Sequence, residues 1–397
     1  MNILFITPYL PSENSGHAGA QLIYRNVVGL SEYNKITIAS FIDVNEKDSI
    51  ENLASYGIDA YTISYPRNQK SLSGKINSVF RNIKAVFSYI KGEEPFFIAK
   101  YNKQAMSDLI SKLLNSNSFD LVQVEYNVMH HYAHLFVNIK SLIVFHDVST
   151  KMYESGTLIG KKSNKRSFEL AKKIESNIAN KFDSVVTLTK EDKSYLMKLG
   201  FNKKIHIIPP QVKYIEKTLQ DKIPNSICFV GSFNREPNIN AVEIIIDSIL
   251  PHINKEITLS IVGKDMPTKL ASKINNLNRV NYLGFINDID SFIASQMLMV
   301  APISIGSGLK MKIPHALSCG TPVITTNIGS EGLEINKENG IIKSEINKFA
   351  TEINKLMLNQ NKLIIMGEKG RNKVNFYFSK DVVVKKFQRL YKSIIKE

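Results

Sequence analysis

Short apolar runs rich in β-branched residues alternate with amphipathic stretches along the chain of 397 residues. Each run is apolar at successive positions, as in strands that are buried on both faces of a parallel sheet. The stretches between them have helical periodicity, so the pattern predicts an α/β fold with right-handed crossovers. The predicted strands are Ile3–Thr7, Ile36–Phe41, Tyr61–Ser64, Leu121–Val124, Leu142–Phe145, Val185–Leu188, Ile205–Ile208, Ile227–Val230, Ile257–Val262, Val280–Leu283, Met297–Ala301 and Val323–Thr325.

The proline-rich segment Pro209–Asn225 interrupts this rhythm and is typical of a linker between domains. The length suits two domains of about 150–200 residues each. We therefore predict two Rossmann-like, doubly wound domains, 1–210 and 211–375, whose sheets face each other across a cleft at their carboxyl ends. Within 376–397, an amphipathic helix over Ser379–Lys396 is expected to pack back on the first domain. Its predicted buried positions are Val383, Val384, Phe387, Leu390, Tyr391 and Ile394.

Composition sets the broad class. A hydrophobic content of 43% and a charged content of 22% are typical of globular proteins. No apolar run approaches the roughly 18–20 residues that span a bilayer, and the first residues predict a strand, not a signal peptide. With only Cys228 and Cys319, a disulfide framework is not expected, which favours a reducing cytoplasm.

The net charge is +15, and the positive charge of the first half is clustered. Residues 61–115 contain nine Lys or Arg against three acids, and residues 151–204 contain thirteen against six. The net charge of the whole chain is equally consistent with a general bias in amino-acid usage and with binding to anionic partners. Nucleic acid is not expected, because no recognised binding module or repeated exposed aromatic accompanies the clusters.

Residues 75–91 form an amphipathic segment with basic flanks. One stripe carries Ile76, Val79, Phe80, Ile83, Val86, Phe87 and Ile90, with Lys84 and Lys91 beside it and Arg81 opposite. Two interpretations stay open. The helix either packs on its sheet, as such helices usually do, or makes a peripheral contact with an anionic membrane.

A glycine loop after the strand Met297–Ala301 is the most informative motif. It includes Ser307 and Gly308 and is predicted to open a helix whose first turn carries Lys310 and Lys312. Free backbone N–H groups, the helix dipole and two ammonium groups together predict an anion site. Neither the dinucleotide nor the P-loop glycine signature is present, which disfavours an oxidoreductase and points to a differently presented phosphate, such as a nucleotide-sugar diphosphate.

The second half resembles the nucleotide-sugar domain of family-4 glycosyltransferases, which have the glycosyltransferase-B fold. The resemblance rests on the order and spacing of Phe229–Phe233, Pro237-Asn238, Ile261–Gly263, Leu283–Phe285, the GSGLKMK loop, Gly320–Val323 and Gly329–Leu333. The first half resembles the acceptor domain more loosely, through Pro8–Pro11, Gly16, Gly19, Glu125, His146-Asp147 and Ile208–Pro210.

The resemblance implies a donor site in the second half. Its expected members are Gly231, Ser232, Arg235, Phe285, Ser307, Gly308, Leu309, Lys310, Lys312, His315 and Glu331. Lys310 and Lys312 take the place of the basic residues that hold the donor diphosphate, so no metal is expected. The family's two glutamates align with Ser307 and His315, a departure that leaves the ribose without its usual carboxylate. Glu331 is a candidate to supply one; the alternative is an exposed turn residue.

In the first half, His146 and Asp147 follow a predicted strand and are the expected catalytic pair, beside the donor sugar and the acceptor. Gly16 and Gly19 are expected to let the backbone approach the donor, and Glu125 to orient an acceptor hydroxyl. His130, His131 and His134 resemble metal ligands, but no carboxylate or cysteine stands at ligand spacing, so a surface cluster is favoured.

Together these features predict a retaining, metal-independent glycosyltransferase without a cofactor. It would move a sugar from a UDP- or GDP-sugar to a glycan or lipid-linked acceptor, in cell-surface polysaccharide or glycoconjugate synthesis. Two alternatives stay open: a non-catalytic partner or glycan-binding subunit, suggested by His315, and a sugar-nucleotide epimerase of the same fold.

Overall fold

A computed structural model describes residues 1–15, 17–43, 46–67, 77–78, 80–158, 162–215 and 221–396. The chain divides into two compact units, Met1–Gln211 with Lys380–Glu397, and Val212–Ser379. The division therefore falls within the segment Pro209–Asn225 that was expected to link two domains, of which residues 216–220 lie outside the described part. Each unit is built on its own parallel sheet.

The first unit contains a seven-stranded sheet in the order β3-β2-β1-β4-β5-β6-β7. Its pairings are all parallel, and most strand residues are buried, because helices cover both faces. The strands are β1 Asn2–Thr7, β2 Lys35–Ile42, β3 Asp59–Ser64, β4 Leu121–Glu125, β5 Lys140–Phe145, β6 Ser184–Thr187 and β7 Ile205–Ile207. The described helices before residue 200 are α1 Ala18–Ser31, α2 Asp48–Ala54, α3 Ile83–Lys91, α4 Phe96–Ala99, α5 Gln104–Ser116, α6 Ser149–Leu158, α7 Lys162–Ile178 and α8 Lys190–Lys198, with 3₁₀ helices at Asn127–Leu135 and Ala179–Lys181.

The second unit contains a six-stranded parallel sheet in the order β10-β9-β8-β11-β12-β13. Its strands are β8 Ser226–Val230, β9 Thr258–Val262, β10 Val280–Gly284, β11 Leu298–Ala301, β12 Val323–Thr325 and β13 Ile341–Lys343. Its helices are α9 Glu236–Ile244, α10 Thr268–Asn275, α11 Ile289–Ser295, α12 Lys312–Ser318, α13 Phe349–Met357 and α14 Gln360–Phe378. A π turn at Ile245–Ile249 and 3₁₀ turns at Leu250–His252, Lys337–Asn339 and Ile346–Lys348 complete it. Each predicted strand overlaps an observed one, so the α/β prediction is confirmed.

The last helix, α15, runs over Lys380–Lys396 and belongs to the first unit. Its six predicted core positions are all buried. Val384 lies against Gly29 of α1, where an added Cβ would come within 2.8 Å of a Val384 methyl carbon. The Tyr391 hydroxyl donates a 2.5 Å hydrogen bond to Gln123 in β4. The helix therefore joins the core of the first unit, and its amphipathic pattern follows from that packing.

Candidate functional site

The glycine loop joins β11 to α12, and two of its glycines require a left-handed backbone. Gly306 has φ 132° and Gly308 has φ 72°. The chain turns once more before α12 begins at Lys312. Lys310 therefore lies in the loop, and the prediction that both lysines share the first helical turn is corrected. The positive φ values delay the helix, because they are incompatible with right-handed helical geometry.

Lys310 is already paired. Its ammonium donates to the Gly308 carbonyl at 2.7 Å and to the Glu331 carboxylate at 2.9 Å. Both side chains are largely enclosed, with 10% of Lys310 and 15% of Glu331 exposed. The structure thus brings together two predicted donor residues, but the Glu331 carboxylate balances the Lys310 charge.

Lys312 has a different environment. Its ammonium donates to Asn238 Oδ1 at 2.5 Å and lies 4.2 Å from the centre of the Phe229 ring. Both partners are neutral, and no described carboxylate forms an ion pair with it. Burial, followed by the positive charge of Arg235, lowers the pKa of Lys312 to about 7. An enclosed cation beside a second cation is stabilised by a bound anion.

The predicted residues Gly231, Ser232 and Arg235 lie in the segment between β8 and α9, near Lys312. Gly231 directly follows β8, and a Cβ there would come within 3.0 Å of Lys312 Nζ. The Ser232 carbonyl accepts a 2.7 Å hydrogen bond from Asn238, which in turn holds Lys312. Arg235 immediately precedes α9. These contacts make a compact basic site at the carboxyl end of β8.

The remaining predicted donor residues are more dispersed. Phe285 follows β10 and is 68% exposed, and Leu309 packs against the core of the second unit. Ser307 is half-buried in the glycine loop. The donor roles of Phe285 and Ser307 stay predictions.

His315 has a carboxylate neighbour that the sequence did not reveal. Its Nε2 lies 2.7 Å from Asp290 Oδ1, and the other Asp290 oxygen accepts a 2.9 Å hydrogen bond from Lys213. The hydrogen bond from His315 holds the pKa of Asp290 well below its usual range, and Lys213 acts in the same direction. The imidazole that replaces the expected glutamate is therefore accompanied by an acidic residue from α11.

In the first unit, His146 follows β5 and is buried. Its ring stacks on Tyr126 with centroids 3.9 Å apart and an interplanar angle of 9°. His146 Nε2 lies 2.5 Å from Glu125 Oε2, and Gln123 donates to the other Glu125 oxygen at 2.6 Å. Asp147, the next residue, is exposed. His146 is thus held rigidly, while Asp147 faces solvent.

Glu125 does not have the role expected from the sequence. It is fully buried, and both carboxylate oxygens are engaged by His146 and Gln123. With no exposed surface, this carboxylate does not reach an acceptor hydroxyl in the arrangement described. The correction is that Glu125 positions His146, and the Tyr391–Gln123 hydrogen bond links this arrangement to α15.

Gly19 also has a different explanation. A Cβ at this position would lie 1.8 Å from the Tyr126 hydroxyl oxygen. Tyr126 itself has φ 71°, an uncommon value for a residue with a side chain. The close approach at Gly19 accommodates Tyr126, and the expected role of Gly19 toward the donor stays a prediction. Gly16 lies outside the described residues.

The histidine cluster differs from the surface cluster that was expected. His130 is 2% exposed, and Glu94, from the segment between α3 and α4, lies 2.8 Å from His131 Nε2. Only His134 of the three is exposed. The carboxylate partner was missed because Glu94 precedes His131 by 37 residues and meets it only through the fold.

Residues 224–359 match the family model described as Glycosyl transferases group 1. This segment is therefore similar to the group 1 glycosyl transferases. Among the solved structures similar to the whole chain is HepE from Anabaena in complex with UDP, at 16% identity and a TM-score of 0.69, covering 99% of this chain and 100% of that chain. Sucrose-phosphate synthase from Thermosynechococcus elongatus is similar at 15% identity and a TM-score of 0.71, covering 100% of each chain. A glycosyltransferase from Rickettsia africae is similar at 16% identity and a TM-score of 0.66, covering 100% of this chain and 99% of that chain. No curated protein matches the sequence.

At these identities the solved structures establish the fold, and they confirm the predicted glycosyltransferase-B class. The matched segment contains the basic site around Lys312, together with Lys310, Glu331 and the His315–Asp290 pair. The match thus confirms the resemblance that was drawn from the motifs of the second half.

The segment around α3 has an exposed apolar stripe. Phe80, Ile83, Phe87 and Ile90 are 66%, 43%, 56% and 62% exposed, and only Ala85 is buried within the helix. Arg166 of α7 donates to the carbonyls of Tyr89 and Ile90 at 2.8 and 2.7 Å. The interpretation in which this stripe packs on the sheet is wrong for these four residues; Ile76 and Val79 lie outside the described part. Among the described helices, none is both long and apolar enough to cross a membrane.

Proposed function

We propose that this protein is a retaining glycosyltransferase that moves a sugar from a UDP- or GDP-sugar to a glycan or lipid-linked acceptor. The observation that carries the proposal is the Lys312 site, an enclosed ammonium with neutral partners and Arg235 nearby. The match of this segment to group 1 glycosyl transferases and the UDP complex of HepE support a nucleoside diphosphate as the anion.

The chemistry follows from the charge that develops during transfer. The bond between the anomeric carbon and the diphosphate oxygen breaks, and negative charge accumulates on the leaving nucleoside diphosphate. Lys312 and Arg235 would neutralise that charge without a metal ion. Lys310, held by Glu331, would contribute less positive field, because the carboxylate balances it.

We assign His146 and Asp147 to the reacting end of the substrates. The Glu125 carboxylate and the stacked Tyr126 ring fix the orientation of His146. Asp147 offers an exposed carboxylate directly after it. In a retaining transfer of this kind the departing phosphate oxygen can take the proton of the acceptor hydroxyl, so His146 would act by orienting the sugar and not as the base.

Titration of the purified chain with a panel of UDP- and GDP-sugars tests the proposal. Calorimetry should show binding, and chromatography should show slow donor hydrolysis. The double variant Lys310→Ala/Lys312→Ala should lose both, whereas Lys337→Ala/Lys348→Ala should not, because those exposed lysines of the same unit also pair with glutamates. Unchanged turnover in the first variant would refute the site.

The alternative, a non-catalytic partner or glycan-binding subunit, rests on His315 in place of the expected glutamate. The Asp290 carboxylate beside His315 favours a functional pocket over a degenerate one. The same titration separates the two, since a degenerate subunit would neither bind nor hydrolyse any donor at millimolar concentration.

We further propose that transfer takes place at the cytoplasmic face of a membrane, in polysaccharide or glycoconjugate synthesis. The support is the exposed stripe on α3, flanked by the exposed Lys84 and Lys91. Apolar side chains that enter the headgroup boundary and cations that face anionic lipids are the two contributions a peripheral contact requires.

Vesicle flotation tests this contact. The protein should float with phosphatidylglycerol-containing vesicles and much less with phosphatidylcholine alone. Phe87→Ser/Ile90→Ser should abolish flotation, and Phe376→Ser, which changes a similarly exposed aromatic of the second unit, should not. Equal flotation of both variants would show that the exposed stripe on α3 does not contact the membrane.

A further inference from the structure

A buried histidine of the first unit has a ring nitrogen with no partner. His130 is 2% exposed, and its Nε2 makes no hydrogen bond with any residue that the structure describes. Glu94 Oε1 lies 3.7 Å from that nitrogen, and Glu94 Oε2 lies 2.8 Å from His131 Nε2. One ligand atom from each of the three residues lies within 4.8 Å of the others. A buried polar atom without a partner is rare and calls for an explanation.

The hydrogen bonds of His131 show what belongs between these groups. His131 Nδ1 lies 3.1 Å from the Val128 carbonyl oxygen, which can only accept, so the proton of a neutral ring is on Nδ1. Nε2 then presents its lone pair to the Glu94 carboxylate, which is also only an acceptor. Two acceptors at 2.8 Å require a cation between them, either a proton or a metal ion.

We propose that Glu94, His130 and His131 bind a divalent transition metal, with Zn²⁺ as the best match. Two imidazole nitrogens and one carboxylate oxygen are a known tetrahedral zinc ligand set when water fills the fourth position. A metal-bound histidine normally donates its other N–H to a carbonyl or carboxylate, as His131 does to Val128. The site lies within the first unit and shares no residue with the Lys312 site of the second. A bound ion would fasten the segment after α3 to the 3₁₀ helix Asn127–Leu135.

Lys181 adds a positive charge next to the proposed site. Its ammonium lies 3.1 Å from His130 Nδ1 and donates to it. A metal ion on His130 Nε2 would bring a second cation to the same ring, so Lys181 should weaken metal binding.

The test uses the full-length, tag-free protein, stripped of metal and titrated with Zn²⁺ by calorimetry and with Co²⁺ by visible absorption. We expect one ion per chain, a Co²⁺ spectrum of low coordination number, and a higher melting temperature with Zn²⁺. Glu94→Gln and His131→Gln should each weaken Zn²⁺ binding by on the order of 100-fold or more, since even supporting residues of such sites contribute 10- to 100-fold.

Three further variants separate this site from others. His134→Gln changes the exposed neighbouring histidine and should leave binding intact. His315→Gln should also leave it intact, which excludes the group formed by Asp290, His315 and Cys319. Lys181→Met should tighten binding, because it removes an ammonium 3.1 Å from His130 Nδ1. Absence of binding in the parent protein, or equal loss in His315→Gln, would overturn the proposal.

Discussion

The ring of Tyr126 lies flat on the ring of His146, with centroids 3.9 Å apart and planes 9° from parallel. Tyr126 adopts a left-handed φ of 71° to reach this position, at a cost of about 1–3 kcal/mol. Glu125, the residue before it, holds the same imidazole by a 2.5 Å contact. Two consecutive residues at the end of β4 therefore fix one histidine at the end of β5.

Replacing Glu125 with glutamine should slow transfer. The amide keeps the size of the side chain but cannot offer two acceptor oxygens to His146 and Gln123. We expect kcat to fall about 10- to 100-fold, less than the loss of a catalytic group, with donor affinity little changed. Steady-state kinetics and calorimetry on the same samples check this. Glu154→Gln, on the exposed part of α6, is the matched control, and a Glu125→Gln enzyme as fast as that control would contradict the assignment.

Donor binding should depend on pH through Lys312. Burial and Arg235 lower the pKa of the free site to about 7, and a diphosphate favours the charged ammonium and raises that pKa in the complex. Donor affinity should therefore fall as pH rises above about 7, by up to about tenfold per pH unit until the pKa of the complex is reached.

Calorimetry with a UDP-sugar from pH 6 to 9 measures this dependence, because the phosphates of such donors do not titrate in that range. Lys312→Met should bind weakly and with a flat profile, whereas Lys348→Met should retain the profile of the parent protein. A parent protein with constant affinity across this range would show that Lys312 does not contact the diphosphate.

Gly19→Ala should destabilise the first unit through a single contact. The new methyl group would lie 1.8 Å from the Tyr126 hydroxyl oxygen, so the tyrosine or the start of α1 must move. We expect a loss of about 1–3 kcal/mol in the free energy of unfolding. Tyr126→Phe removes that oxygen and should restore part of the loss, which a double-mutant cycle in urea would measure. Strictly additive effects would place the strain elsewhere.

Asp290 should stabilise the second unit in a pH-dependent way. The hydrogen bond from His315 is the main reason that the pKa of Asp290 is lowered in the folded state. The contribution of Asp290 to the free energy of unfolding is therefore present above its unfolded-state pKa of about 4, and it is lost as pH falls below that value. Because both side chains are partly exposed, we expect less than about 1 kcal/mol. Urea unfolding of Asp290→Asn and the parent protein at pH 7, 5 and 3 should show a difference that shrinks with acidity; a constant difference would exclude this ion pair.

The sequence predicts the sheets well because their strands are apolar on both faces. It misses β13, Ile341–Lys343, an edge strand in which only two apolar residues are buried. The buried face of α15 is predicted correctly, since the helical period alone determines it. The stripe on α3 has the same period but faces outward, because periodicity identifies an apolar face and not what covers it.

The site is predicted less completely than the fold. Motif spacing identifies Lys310, Lys312 and Glu331 as candidate site residues. It does not show that Glu331 neutralises Lys310, whereas Lys312 has neutral partners. Asp290 beside His315 and Glu94 beside His131 are missed for one reason. Each pair lies 25 or more residues apart in the chain and meets only after the strands have ordered the loops.

The hydrogen-bond series from Tyr391 through Gln123 and Glu125 to His146 has a consequence for synthesis of the chain. Residues 380–396 leave the ribosome only after the whole of Val212–Ser379 has been made. The second unit can therefore finish folding while the first still waits for its last helix. His146 acquires its full support at the end of translation, so a nascent chain that stalls before residue 391 would have a formed Lys312 site in its second unit and an incompletely supported His146 in its first.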